Sequence, residues 1–584
     1  MRKIVVCLSV LLATISVRAQ VTFPVNGVTD NRGGAYAFTN VTLVQDANTT
    51  IKNATLVIEN GKVAAINPKQ IPVNAIVIDC KDKFIYPSFI DLYTSYGIPE
   101  QERRAGGFQF GAPQQLDNTT KGAYGWKQTI KSFVHAFAIF SKDAAKAQQL
   151  RSAGFGTVLT HQPDGIVRGT GVVVTLSDES DNLAIVKEKA SAHYSFSKGT
   201  STQSYPSSMM GSIALLRQTY IDAAWYKNNP GSKEGTNLAL QSFNSIQDLP
   251  QFFEANDKWD AIRADRVGDE AGVQYIIRAG GNEYQRIKEV AATRAKFIVG
   301  LNFPDAQDVE DPQNARFVSL GDLKAWELAP TNPAAFEKNN IDFCLTASGL
   351  QNPNTFLANL RKAIQYGLTE KAALNALTIN PAKLIGVSDK VGSLEVGKLA
   401  NFIITSEPVF NDKAVILQNW VCGIKYGVKE DAWSPSTGVY NLVLNRPAGT
   451  TKYTLDVKAN NVANVIGADT LAAKLSVAFK SVSLSFSEKK APRGGPGGAA
   501  PAATSANLRL SGVDNGNGYW QGTGVDTLGN SFTWTATLTN SDVAKATDSI
   551  KQKTANLIST VTYPFGAYGT TELPKQETIL IKNT

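Results

Sequence analysis

Residues 36–80 alternate short apolar runs with turn-forming residues, which is typical of β-strands. The apolar runs at 54–58 and 63–66 are joined by Glu59-Asn60-Gly61-Lys62. An Asn-Gly pair between two such runs is a strong hairpin signal. A further β-branched run follows at 75–78. The pattern therefore predicts a small group of paired strands at the start of the fold.

The pattern changes between about residues 84 and 395, where strand-like apolar runs alternate with amphipathic helical stretches. The runs at 156–160, 172–176 and 297–301 are predicted strands, whereas the apolar residues within 207–226 recur at helical spacing. Near the end of this region Thr369 is a predicted helix cap. Strands that alternate with helices in this way indicate βαβ units, and hence a parallel sheet or barrel.

Strand-like runs return at 402–405 and 420–423, and residues 440–540 then read as a separate all-β domain. The segment 489–506 interrupts this domain with a stretch that is rich in Pro, Gly and Ala. Such a composition cannot supply a packed core. It is therefore predicted to be a disordered insert.

The length and the N-terminus add constraints. A chain of 584 residues is too long for one hydrophobic core. Residues 1–19 have a short basic start, an apolar stretch at 4–17 and a small residue, Ala19, before Gln20. This is the pattern of a signal peptide, although an uncleaved N-terminal anchor is the alternative. We expect an exported protein, periplasmic or secreted, without stable membrane insertion.

Cysteine and charge usage exclude other classes. After the leader, only Cys80, Cys344 and Cys422 remain, each among apolar neighbours, which favours buried free thiols over disulfides. The net charge of +8 comes from basic residues that are scattered among acids. The sequence therefore predicts no zinc ribbon and no nucleic-acid partner.

Four motifs lie at residues 56–63, 86–91, 376–382 and 392–401. Together they resemble the amidohydrolase superfamily, in its imidazolonepropionase-like branch, and the resemblance extends over residues 36–432. It implies a (β/α)8 TIM-like barrel at 86–395. It also implies a small composite β-sandwich, built from residues 20–85 and 396–432 beside the barrel.

The resemblance further implies a divalent metal, normally zinc, at the carboxyl ends of the barrel strands. The positions of the family's His-x-His pair hold Tyr93 and Ser95, and Ser348 stands in place of the aspartate after the last strand. Glu254 is the nearest match to the fifth-strand histidine, and no histidine lies near 278–282. We therefore interpret the metal site as degenerate and expect no metal or other cofactor.

The whole chain has three histidines. His135 is predicted on a helix, and His193, in a Ser/Ala-rich stretch, is predicted to face solvent. His161 follows a predicted strand and could point into the barrel mouth. The candidate pocket residues are therefore Tyr93, Ser95, His161, Glu254 and Ser348. An all-oxygen alternative would use Asp91, Glu254 and Asp257 to hold magnesium or calcium.

The last residues suggest a continuation of the chain. Residues 541–575 are predicted to be a connector, and 576–584 resemble the opening strand at 41–44. We expect this strand to begin a second amidohydrolase-like unit. Three functions stay open: a degenerate domain that supports an active second unit, a hydrolase of non-peptide carbon–nitrogen bonds with an atypical site, and an exported protein that binds a small-molecule ligand.

Overall fold

The computed structural model describes residues 34–101, 114–229, 233, 235–429, 438–447, 449–458, 462–478, 481–489, 505–515, 518–526 and 529–540, with 578, 580 and 582. The predicted leader at 1–19, most of the insert at 489–506, the connector at 541–575 and most of the strand at 576–584 lie outside these residues. Those assignments stay predictions.

Two β-rich units follow each other along the chain. The strands of the first unit are β1 (Ala35–Val44), β2 (Thr50–Glu59), β3 (Lys62–Ile66), β4 (Ile76–Asp79), β5 (Phe84–Pro87), β6 (Phe89–Thr94), β7 (Phe155–Thr160), β8 (Val167–Thr175), β9 (Ile185–Ser195), β10 (Gln251–Glu254), β11 (Ile276–Arg278), β12 (Lys296–Gly300), β13 (Phe343–Thr346), β14 (Phe402–Thr405), β15 (Ile416–Val421) and β16 (Ile424–Gly427).

The helices of the described residues all belong to the first unit. They are α1 (Ala136–Ile139), α2 (Ala144–Ser152), α3 (Asp181–Ala184), α4 (Met209–Asn228), α5 (Leu238–Ser245), α6 (Lys258–Ala271), α7 (Ile287–Ala292), α8 (Pro312–Ala315), α9 (Leu320–Leu328), α10 (Asn332–Lys338), α11 (Phe356–Gln365), α12 (Glu370–Leu377) and α13 (Ile379–Leu384), with 3-10 turns at Glu283–Arg286, Ala329–Thr331 and Pro353–Thr355. Among the described residues, no helix is long and apolar enough to cross a membrane.

The first sheet combines strands from both ends of this unit. Its order is β16-β15-β14-β5-β1-β2-β3, and β4 pairs with β1. The β2–β3 hairpin turns at Asn60 and Gly61, whose φ angles of 51° and 74° suit this tight hairpin turn. Strand β14 pairs antiparallel with β5, so the N- and C-terminal segments join in one sheet. A two-layer sandwich stays a prediction.

Strands β6 to β13 form the second sheet, in chain order. Strand β6 is parallel to β7, and β9 to β13 are parallel to each other. The first and last strands are linked at Asp91, whose carboxylate accepts hydrogen bonds from Thr346 Oγ1 at 2.5 Å and from the amide of Ala347 at 2.9 Å. The sheet is the TIM-like barrel that the sequence predicts.

One strand departs from that prediction, because β8 runs antiparallel to both β7 and β9. The expectation of eight parallel β/α units is therefore wrong at this point. The physical reason is the short connection from β7 to β8, which spans residues 161–166 only. A parallel crossover needs roughly a dozen residues or more, so the chain can only fold back.

The second unit is an eight-stranded antiparallel barrel, which confirms the predicted separate all-β domain. Each strand pairs with the next and β17 pairs with β24, which closes the ring. Alternate residues of each strand point inward, and the interior is filled by side chains such as Trp520 and Trp534. The strands are β17 (Gly438–Arg446), β18 (Gly449–Val457), β19 (Val462–Ile466), β20 (Thr470–Ala478), β21 (Ser481–Lys489), β22 (Ser505–Asp514), β23 (Tyr519–Val525) and β24 (Ser531–Asn540).

Cys80, Cys344 and Cys422, which follow the predicted leader, are buried and form no disulfide. Burial raises the pKa of Cys80 to about 12 and raises that of Cys344 in the same direction. Reactive thiolates are therefore not expected at Cys80 and Cys344.

Candidate ligand site at the barrel mouth

The carboxyl ends of the parallel strands bring several polar side chains to one end of the barrel. Tyr93 lies near the end of β6, and His161 directly follows β7. Glu254 and Arg278 are the last residues of β10 and β11. This is the end at which barrel enzymes of this type carry their active sites. We refer to this end as the barrel mouth.

A residue that the sequence reading missed, Arg168, lies at the centre of the mouth. Because β8 runs in reverse, its first residues rather than its last reach this end. Arg168 is only 3% exposed. Its Nη1 lies 2.7 Å from Glu254 Oε2 and 2.9 Å from the Tyr93 hydroxyl, and its Nε donates to the carbonyl of Gly165 at 3.1 Å. The guanidinium therefore joins β6, β8 and β10.

The signal for Arg168 is present in the sequence. A single charge stands in the run Val167-Arg168-Gly169-Thr170-Gly171, which is otherwise apolar or small. A charged side chain in a strand that is buried in the fold needs a partner of opposite charge. That partner, Glu254, lies far along the chain and could not be identified from the run itself.

The ion pair fixes the charge state of Glu254. Burial alone would raise the pKa of this carboxyl, but the nearby guanidinium of Arg168, which also donates a hydrogen bond, holds the pKa below its ordinary value. Burial raises the pKa of the Tyr93 phenol far above its ordinary value. At neutral pH, Glu254 is therefore an anion already paired with Arg168, and Tyr93 is a neutral phenol.

His161 and His193 stack face to face below this cluster. Their ring centroids are 3.7 Å apart at an interplanar angle of 4°, and Tyr93 packs edge-on against His161 at 4.6 Å. Each histidine is 1% exposed. Burial is the main cause that holds both histidine pKa values well below the ordinary range, and the positive charge of Arg168 acts in the same direction. Both rings are therefore neutral.

The prediction that His193 faces solvent is wrong. This histidine lies in β9, and its Nε2 is 2.8 Å from the hydroxyl of Ser191. A side chain on Gly171 would lie 2.7 Å from the same nitrogen. Gly171, on the neighbouring strand β8, thus makes room for a buried ring.

The remaining sequence candidates do not join the cluster. Ser95 is exposed and lines a rim cavity of about 250 Å³. Ser348 is half-buried, and its amide donates to Thr346 Oγ1. Asp257 caps helix α6 by accepting from the amide of Asp260, so it is not a metal ligand here. His135, which was predicted on a helix, lies in extended backbone just before the short helix α1 and makes no side-chain capping bond. It is half-buried, and its Nδ1 lies 3.1 Å from Thr170 Oγ1.

Asp91, a candidate ligand in the all-oxygen alternative, holds strand ends together instead. Besides the two bonds to β13, it accepts a hydrogen bond from the amide of Tyr93 at 2.9 Å. Burial raises the pKa of Asp91 to about 6, although these hydrogen bonds act in the opposite direction. All of its contacts hold strand ends together, so it offers no free oxygen for a cation.

The mouth does not fit the divalent metal that the resemblance implies. Where a sixth-strand histidine is expected, Arg278 ends β11, and Glu254 is occupied by Arg168. A guanidinium has only N–H donors and cannot ligate a cation, and two such charges repel one. Among the described residues, no group of three or more His, Cys, Asp and Glu side chains could hold a metal ion.

Comparison with known proteins agrees with the fold. Residues 339–431 match the model of the amidohydrolase family. The chain is 24% identical over 388 residues to the imidazolonepropionase of Christiangramia forsetii, covering 61% of this chain and 86% of that protein. It is 21% identical over 394 residues to the imidazolonepropionase of Symbiobacterium thermophilum, covering 61% and 85%.

A solved amidohydrolase structure from Thermotoga maritima matches with a TM-score of 0.53 and 21% identity, over 67% of this chain and 99% of that one. The family model and these relatives support the amidohydrolase superfamily for this chain. Within that superfamily, the chain is similar to the imidazolonepropionases. Fold and branch do not by themselves assign an activity.

Proposed function

We propose that this chain is an exported amidohydrolase-fold domain that holds no catalytic metal, does not hydrolyse carbon–nitrogen bonds, and supports a second, active unit. The observation that carries the proposal is the buried guanidinium of Arg168, bonded to Glu254 and Tyr93 at the end of the barrel where the family binds its metal.

The argument is electrostatic. Hydrolysis at neutral pH in this family depends on a cation that lowers the pKa of bound water to about 7. Arginine keeps its proton at neutral pH and donates hydrogen bonds only. It can neutralise Glu254, but it cannot ionise a water molecule by coordination. The neutral ring of His161, whose pKa is low because it is buried, is also a poor general base.

Metal analysis tests the first part. The protein and its variant Arg168→Met are produced in zinc-supplemented medium and purified without chelators, and their metal content is measured by mass spectrometry. We expect far less than one equivalent of zinc per chain in the natural protein. Zinc at one equivalent, with turnover of a carbon–nitrogen substrate that a chelator abolishes, would instead favour the active hydrolase.

The supporting role predicts where activity resides. If the natural protein has hydrolytic activity, changes such as Arg168→Met should leave its metal dependence intact, because the reaction occurs in another unit. Activity that disappears with Arg168 while the fold persists would contradict this role. Circular dichroism and thermal melting provide the check on folding.

A second function, binding of a small molecule without turnover, is favoured by unused donors at the mouth. Neither ring nitrogen of His161 has a side-chain partner among the described residues, and neither has Nε of Arg278. A ligand retained in the mouth and recovered unchanged would support this function. Buried polar groups of this kind usually have partners.

A further inference from the structure

Arg278 differs from Arg168 in having no carboxylate partner among the described residues. It ends β11, is half-buried, and its guanidinium carbon lies 5.9 Å from the centroid of the Tyr93 ring. Its Nη2 approaches the carbonyl of Ser348 only at 3.5 Å. A guanidinium offers five N–H donors, and the buried Nε of Arg278 has no hydrogen-bond partner among the described residues.

The two acidic side chains nearest to this arginine are already committed. Glu254 pairs with Arg168 at 2.7 Å, and Asp91 accepts bonds from the Thr346 hydroxyl and two backbone amides. Arg278 acts on both carboxylates through space, but among the described residues neither of them forms an ion pair with it. A partly buried charge of this kind gains from an anionic partner.

The backbone leaves room for that partner. Gly349 has a φ of +91°, and a Cβ there would lie 3.2 Å from Arg278 Nη2 and 3.0 Å from Asn302 Nδ2. Any other residue would crowd both groups and would be strained at this φ. The glycine thus keeps open a space that has a guanidinium on one side and the carboxamide of Asn302 on the other.

We propose that the barrel mouth binds the carboxylate group of a small molecule, with Arg278 as its counter-ion and the Asn302 amide as a second donor. This rests on the ligand-binding alternative of the proposed function. A planar carboxylate matches the fork of a guanidinium. A single unpaired guanidinium balances a monoanion, whereas a dianionic phosphate would leave excess negative charge beside Glu254.

The test uses the full chain without its leader, at constant ionic strength and pH 7.5. Acetate, propionate, succinate and glutarate are titrated in turn, with inorganic phosphate as the comparison, and binding is followed by ligand-observed NMR. The variants are Arg278→Gln, which removes the charge, and Arg278→Lys, which keeps the charge without the fork. Arg266→Gln, on the exposed face of α6, removes the same charge elsewhere.

We expect at least one carboxylate to bind the natural protein and the Arg266→Gln variant equally. Arg278→Gln should weaken that binding by about tenfold or more, the usual loss for a charged hydrogen bond, and Arg278→Lys by less. Equal binding to Arg278→Gln, no binding of any acid, or tighter binding of phosphate would overturn the proposal. Zinc content and turnover are measured separately, so a failure of the proposed function is distinguishable from a failure here.

Discussion

The buried pair between Arg168 and Glu254 makes a quantitative prediction about the stability of the first unit. The perturbations are Glu254→Ala, Arg168→Met and the double variant. The side chain of Arg168 is 3% exposed and that of Glu254 is 28% exposed. Water can therefore reach an orphaned Glu254 far more easily than an orphaned Arg168, so the two single changes are not equivalent.

The expected magnitudes follow from this difference. Glu254→Ala leaves a buried guanidinium without its counter-ion, which typically costs about 3–5 kcal/mol. Arg168→Met leaves a partly hydrated carboxylate that still interacts with the Tyr93 hydroxyl, and about 1–3 kcal/mol is typical for such a loss. The double variant removes both charges, so its cost should be smaller than the sum by roughly 0.5–3 kcal/mol.

Differential scanning calorimetry provides the assay. With an unfolding entropy of about 2.1 cal/mol/K per residue and roughly 400 residues in the first unit, a loss of 4 kcal/mol lowers its melting temperature by about 5 °C. The transition of the all-β barrel serves as an internal standard. The exposed pair Arg217–Glu270 supplies a control cycle, for which near-additive effects are expected.

Two results would refute the reasoning. One is that the stability losses of Glu254→Ala and Arg168→Met add up to that of the double variant within about 0.5 kcal/mol, as is usual for independent sites. The other is a larger loss of stability for Arg168→Met than for Glu254→Ala. That result would mean that the buried guanidinium does not need the Glu254 carboxylate as its counter-ion.

Three other predictions concern different parts of the chain. Because burial lowers the pKa of His161 and His193 in the folded state, the unfolded state binds more protons. The two histidines contribute fully to the free energy of unfolding above the unfolded pKa of about 6.5, and this contribution is lost as the pH falls towards the pKa values of the folded state. Between about pH 7 and 5, the melting temperature of His161→Asn should therefore depend less on pH than that of the natural protein. Mass spectrometry of the exported protein should find an N-terminus at Gln20, and an intact leader would contradict cleavage. Trp534→Ala should cost the all-β barrel about 3–5 kcal/mol and leave the first transition unchanged, whereas a shift of both transitions would show that the units unfold together.

Local patterns predicted the elements of this fold well. The Asn60-Gly61 hairpin and the helix proposed at 207–226 appear as the β2–β3 turn and as helix α4 (Met209–Asn228). Both depend on residues that are close in the chain. Periodicity and turn residues act over such distances, because they reflect which face of an element is buried.

The arrangement of the mouth could not be predicted in this way. An apolar run indicates a strand but not its direction, so the reversal of β8 was not visible. The pairing of Arg168 with Glu254 and the burial of His193 against Gly171 are contacts between residues that are distant in the chain. The motifs located Tyr93 and Glu254 at the right end of the barrel. Only the fold showed what occupies the space between them.

The antiparallel direction of β8 also limits how a metal site could be engineered into this barrel. A designer who grafted histidines onto positions 93, 95 and 254 would leave Arg168 in place, because β8 carries none of those positions. The new side chains at 93 and 254 would then contact the guanidinium of Arg168. Building a metal site in this barrel would require replacing Arg168 with a shorter residue first, or redirecting β8, before any new ligand could be of use.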